Sequence, residues 1–284
     1  MEKMYENMKA IQPYFVTVTS HYKKSVYMKH GIAHFYEYCQ DSGNQAGVIA
    51  VPDGCVDILF EKDGNQVKGR IAGSVLEQTI LDNKDNKEYF GVRFLPGVMP
   101  VLLEVSMKEL IQAEIPIEDA MADKELAKRL SDIRTAEEWI PVFLHGYQEN
   151  LAKEERISPY QSQKELAMFV KKRLLETGGQ ITIQELAEAT CYTGRYIHQC
   201  FQDYIGMSPK VFGKIIKFQN AIQMLNQDKK MNLAELCISA GYYDQSHFNK
   251  DFKKYAAMSP RQYRKLIQDV DYEHRMEIRQ ITGT

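Results

Sequence analysis

The sequence predicts a two-domain α+β chain: an N-terminal β-barrel with trailing helices, then an all-α domain with two helix-turn-helix units. Three observations carry this. Residues 14–94 hold short aromatic and β-branched runs bounded by Gly, Pro, Asp and Asn, the texture of strands and turns. Near Gly97 the apolar period changes from 2 to 3.6, the helical repeat. Between Ile183 and Pro260 one helical pattern is written twice.

Taken in order, residues Met1–Pro13 read as a lead-in. Tyr14–Val18, His34–Tyr38, Val48–Val51, Val56–Phe60 and Tyr89–Phe94 read as strands, and Lys62-Asp63-Gly64-Asn65 has the composition of a hairpin turn. Val98–Gln112, Ile117–Ser131 and Thr135–Leu151 read as helices. In the last, Trp139, Val142, Phe143 and Tyr147 form one stripe, which can serve as core or as a dimer surface.

The repeat is the most informative stretch. Glu185-Leu186, Phe201 and Met207-Ser208-Pro209 recur as Glu235-Leu236, Phe252 and Met258-Ser259-Pro260. The offset is 50 residues between the glutamates and 51 between the phenylalanines, so one extra residue sits near Gly241-Tyr242-Tyr243. Each copy reads as helix, tight turn, helix. Thr182 with Glu185 forms a capping box, Thr193 caps the second helix, and Asn232 and Asp244 repeat that layout. Ser208-Pro209 and Ser259-Pro260 each pair an N-cap with Pro at the first helical position. Between the copies, Pro209–Asn226 reads as one long helix with Phe212, Ile215, Ile216, Ala221, Ile222 and Leu225 inward. Gly213 inside it is a weakness of roughly 1 kcal/mol against Ala, with no reason visible in the sequence.

From about Gln163 to Ile267 the chain resembles the DNA-binding domain of AraC/XylS-type transcriptional regulators. The carrying residues are Ser208–Phe212, Lys217–Ala221, Ala240-Gly241-Tyr242, Asp244–Phe248 and Phe252-Lys253-Lys254 through Pro260 to Tyr263-Arg264. The resemblance implies seven helices and two units that read adjacent major-groove faces. Gln199 departs from it, standing where a basic residue is usual. Two N-terminal phrases, Val51–Phe60 and Gly91–Gly97, resemble a cupin-like sensor domain, which implies a barrel able to hold an effector and helices able to pair two subunits.

The expected organisation is therefore a sensor or dimerisation domain over 1–155, a linker over 156–163, a DNA-binding domain over 164–270 and a charged tail over 271–284. Net charge supports the division. Tyr160–Gln268 carries 16 Lys/Arg against 9 Asp/Glu, a balance of +7, while the remainder stands at −9. A basic block beside an acidic one fits a chain in which one domain meets phosphate. Five scattered cysteines without C-x-x-C spacing argue for a reducing cytoplasm and against a disulfide framework. No 18-residue apolar run or signal peptide is present, so no membrane partner is expected.

Candidate base-reading residues are Arg195, His198, Gln199, Ser246, Asn249 and Lys250, polar types able to hydrogen-bond base edges. Thr193, Lys210, Lys217, Gln245, Lys253 and Lys254 are candidates for phosphate. The candidate effector set is Phe35, Tyr36, Cys55, Asp57 and Arg93; against it, Pro52-Asp53-Gly54 is also a plain turn signature. No cofactor is expected. His30 and His34 straddle a glycine without metal-ligand spacing, and no G-x-S-x-G, Walker or G-x-G-x-x-G motif is present, which argues against an enzyme. Expected partners are promoter or operator DNA, a small-molecule effector and a second copy of the chain, with RNA polymerase a further candidate. Two other readings stay open: a barrel that only dimerises, and a small-molecule-binding protein or enzyme using the barrel.

Overall fold

Successive side chains along the N-terminal strands point to opposite faces of their sheet. Ile32–Cys39, Asp57–Asp63 and Glu88–Phe94 are buried over most of their length, so the fold is built from what covers each face. The computed structural model describes residues 10–19, 21–41, 48–64, 66–81, 87–154 and 161–281. The elements begin α1 (Pro13–Thr17), β1 (Tyr22–Val26), β2 (Ile32–Cys39), β3 (Val48–Ala50), β4 (Asp57–Asp63), β5 (Gln66–Ala72), β6 (Thr79–Leu81) and β7 (Glu88–Phe94). Then come α2 (Met107–Leu110), β8 (Glu114–Pro116), α3 (Ile117–Ala120), α4 (Lys124–Asp132) and α5 (Ala136–Glu154). The helical domain holds α6 (Gln161–Glu176), α7 (Ile183–Thr190), α8 (Gly194–Ile205), α9 (Pro209–Gln227), α10 (Leu233–Ser239), α11 (Gln245–Ala256) and α12 (Pro260–Asp269). A last strand, β9 (Met276–Gln280), follows.

Seven strands form one sheet in the order β8-β5-β4-β7-β2-β1-β9, and β3 pairs with β6 in a second, two-stranded sheet. The α+β architecture is as the sequence predicts, but the barrel does not close, because β8 and β9 lie at opposite edges. The inner face is covered instead. Tyr22, Tyr36, Tyr38 and Tyr89 stack across it, and one core joins them to α1, to Val48 and Val51, and to Phe218, Ile222, Phe248 and Phe252 of the helical domain. On the other face Phe35, Phe60, Phe90 and Phe94 meet Trp139, Phe143 and Tyr147 of α5. Trp139 is fully buried there, so its stripe is core within one chain.

Four segments depart from expectation. Ile117–Ser131 is not one helix but α3 and α4, broken at Met121–Asp123, where Asp123 caps α4. Tyr14–Val18, aromatic and β-branched, enters a helical turn rather than a strand: Pro13 stands at the first position of α1, where its fixed φ suits a helix start. The Tyr14 hydroxyl donates to the Ala256 carbonyl across the two halves. Val98–Gln112 is helical only over Met107–Leu110, where a Ser106/Glu109 capping box starts a single turn. The expected tail supplies β9, which runs parallel to β1 in register from Tyr22↔Met276 to Val26↔Gln280. Met276 and Ile278 give it a period-two alternation, and the edge of β1 offers unpaired backbone groups for it to satisfy.

In the helical domain the local signals hold. The Thr182/Glu185 box, the Thr193, Ser208, Asn232, Asp244 and Ser259 caps and both Pro starts are present as read. Gly213 now has a reason. A Cβ there would lie 3.1 Å from the Gly179 carbonyl oxygen, and one on Gly179 would lie 2.1 Å from the Gly213 oxygen, so two backbones cross where neither carries a side chain.

The halves are joined through polar as well as apolar contacts. Buried Gln219 of α9 accepts from the Ile11 N–H at 2.8 Å and donates to the Pro52 carbonyl at 2.7 Å. Buried Lys171 of α6 donates to the Gly97 carbonyl at 3.1 Å. The Val51–Phe60 and Gly91–Gly97 phrases thus lie against the helical domain. The expected linker positions 156–160 lie outside the described residues.

Candidate nucleic-acid interface

Each helix-turn-helix begins from a cap and ends on a left-handed residue. The first helix of unit one, α7, stops at Cys191 with φ 57°. In unit two the residue 50 positions on is Gly241, with φ 81°. One position takes the conformation at some cost, the other without a Cβ penalty. Thr193 and Asp244 then cap α8 and α11, accepting from the N–H groups of Tyr196 at 3.3 Å and His247 at 2.8 Å. Ile197, Phe201, Phe248 and Phe252 bury the inner faces of these helices, which turns their polar faces outward.

All six base-reading candidates are exposed: Arg195, His198 and Gln199 on α8, and Ser246, Asn249 and Lys250 on α11. Helix α9 touches both reading helices and runs 19 residues. At about 1.5 Å per residue it spans roughly 28 Å, comparable with one turn of duplex.

The phosphate candidates divide. Thr193, Lys210, Gln245 and Lys253 are exposed. Lys217 is half-buried, its ammonium donating to the Gly241 carbonyl at 2.9 Å, and burial pulls its pKa down. It braces the turn of unit two against α9 instead of standing free over the surface. Lys254 is exposed but paired at 2.8 Å with Glu77, in the loop between β5 and β6.

Two exposed aromatics escaped the sequence reading. Tyr192 and Tyr243, 45% and 99% exposed, each stand immediately before the cap of a reading helix. They are 51 residues apart, the offset of the phenylalanines, and that match was the available signal.

Of the effector candidates, Asp57 and Arg93 meet in a bidentate pair with contacts of 3.0 and 2.7 Å, and Arg93 also reaches Asp53 at 2.9 Å. Burial opposes the Arg93 charge, but Asp57 and Asp53 hold it firmly protonated. Burial likewise raises the Asp57 carboxyl, against the pull of Arg93. Tyr36 lies beside Asp57 and hydrogen-bonds it, and Cys55 is buried next to this cluster. Phe35 does not join them: it neighbours Tyr36 on β2, so the pleat sends it through the sheet to α5. Asp53 also makes the predicted turn, its Oδ1 accepting from the Cys55 N–H at 2.9 Å beside Gly54 with φ 75°. Among the described residues no group of three or more His, Cys, Asp or Glu is placed to hold a metal ion.

The comparisons with known proteins fall on the same two halves. A family described as "Helix-turn-helix domain" matches residues 186–266. The C-terminal domain is of the AraC/XylS type. A second family, "Domain of unknown function (DUF6597)", matches residues 22–116. An HTH-type transcriptional regulator of Haemophilus influenzae is 32% identical over 128 residues, 45% of this chain and 42% of that protein. The melibiose operon regulatory protein of Escherichia coli K12 is 31% identical over 88 residues, 31% of this chain and 29% of that one. The chain thus spans less than half the length of these relatives. Among solved structures, ToxT from Vibrio cholerae aligns at 9% identity and a TM-score of 0.40, over 82% of this chain and 97% of that one. Among the described residues, no helix is long and apolar enough to cross a membrane.

Proposed function

We propose that this chain is a cytoplasmic, sequence-specific DNA-binding transcriptional regulator that acts as a homodimer under the control of a small molecule. The observation that carries the reading is the duplicated unit. Two capped helices expose Arg195, His198 and Gln199 in one copy and Ser246, Asn249 and Lys250 in the other, from a basic AraC-type domain held together by a single helix. These side chains contact base edges; Thr193, Lys210, Gln245 and Lys253 contact phosphates and set register. The effector acts by binding one arrangement of the two halves more tightly than another, and its influence is bounded by that difference.

The test uses duplexes selected by the protein from a random pool. Anisotropy titrations of the Asn249→Ala/Lys250→Ala double variant should show the selected and scrambled duplexes converging in affinity. Lys210→Ala should weaken both equally and lower the salt slope by about one. Equal loss on every duplex from the double variant would remove the reading-helix assignment.

A further inference from the structure

A cavity of about 700 Å³ lies between the two halves, within the usual size range of small-molecule pockets. It has three walls. The inner face of the sheet contributes Lys24, Val26, His34 and Arg93. Helix α9, which carries both reading helices, contributes Gln223, Asn226 and Gln227. The segment after the DNA-binding domain contributes Tyr272, Met276 and Ile278, the last two from β9. The space deeper within the sheet is taken: Tyr38 stacks on Tyr22 and Tyr89 with ring centroids 5.6 and 5.1 Å apart. A ligand therefore has room beside the tyrosine stack, not inside it.

We propose that this inter-domain cavity binds an uncharged, amphipathic small molecule, touching the sheet, α9 and β9 at once. The class follows from the lining. Val26, Leu95, Pro96 and Met276 supply apolar wall. The α9 amides supply hydrogen bonds; Asn226 Oδ1 accepts from the Tyr263 hydroxyl at 2.8 Å, which leaves its Nδ2 as the donor toward the cavity. The buried charge at the site is already matched, Arg93 by Asp53 and Asp57. Burial, with Lys24 and Arg93 nearby, keeps His34 neutral. A charged ligand would surrender its hydration to a wall without a free buried counter-charge. Of the other charged residues along the wall, Lys24 and Lys29 are half-buried and Glu273 is exposed, so each keeps contact with water. The site gives the regulator reading its sensor, and an occupant bridging sheet and α9 couples to how the reading helices are presented.

The test titrates the full chain with prodan, an uncharged naphthalene ketone whose emission moves to the blue on leaving water. Saturation at one dye per chain is expected, with weaker binding of the anionic dye anilinonaphthalene sulfonate. Val26→Trp and Met276→Trp fill the cavity from opposite walls and should each weaken prodan at least tenfold, whereas Tyr243→Ala should not. Ile278→Trp, at a half-exposed position, covers the case in which a buried substitution fails to fold. No saturable binding, binding that survives the Trp variants, or tighter binding of the sulfonate would each overturn the proposal. The titration contains no DNA, so its failure removes the site alone, and loss of duplex binding removes the regulator reading alone.

Discussion

Lys254 of the second reading helix and Glu77 of the N-terminal half form an ion pair at 2.8 Å. Both side chains are about half exposed, so the pair contributes little to stability, on the order of 0–1 kcal/mol. Its interest is competition, since Lys254 meets either a carboxylate or a phosphate. Glu77→Gln should raise affinity for any duplex about two- to threefold at low salt and steepen the salt slope by up to about one. Anisotropy across a salt series measures this; an unchanged slope means Lys254 does not reach DNA.

Lys217 and Lys210 should part company. Lys217 braces the Gly241 carbonyl, so Lys217→Met costs about 1 kcal/mol, a fall of roughly 2–4 °C in a melting curve. Lys210 is exposed on the first turn of α9, and Lys210→Met should leave melting unchanged while flattening the salt slope. Equal melting temperatures for the two variants would contradict the bracing role.

Lys171 predicts a pH effect with a definite sign. Burial pulls its pKa down to about 8 in the folded chain, from 10.5. Between those values the unfolded chain binds more protons, so stability from this group rises with pH through the window from about 8 to 10.5. The full effect is roughly 3 kcal/mol. Urea melts of wild type and Lys171→Met across pH 7–10.5 should differ in slope over that window alone. Parallel curves would mean the ammonium is not desolvated.

Cys191 holds φ at 57° where its repeat counterpart is Gly241. Removing the Cβ relieves left-handed strain, offset in part by a more flexible unfolded chain. Cys191→Gly should stabilise by about 0.5–1 kcal/mol. A lower melting temperature would place the strain elsewhere.

The helical domain was legible because its signals are local. A cap such as Thr182 acts on an N–H three residues away, and Ser208-Pro209 sets a helix start by itself. The N-terminal half depended on partners far along the chain. Tyr14–Val18 has strand composition, yet Pro13 and the distant Ala256 carbonyl decide its state. Over Val98–Gln112 the apolar period suggests a long helix, whereas the Ser106/Glu109 box marks the one turn that forms. Lys217 looked like any surface cation, because its acceptor lies 24 residues on. Gly213 could not be understood without Gly179 crossing it. Phe35 and Tyr36 adjoin in sequence, yet strand pleating alone sends them to opposite faces of the sheet.

The pairing of β1 with β9 joins positions 254 residues apart, so the whole helical domain is a loop spliced into the path of the sheet. Cutting the backbone between α5 and α6 should then leave two fragments that stay associated, each holding one strand of a shared ladder. The molecule is a nested pair rather than beads on a string, and separating its halves means unzipping an edge of its own sheet as well as parting the core they share.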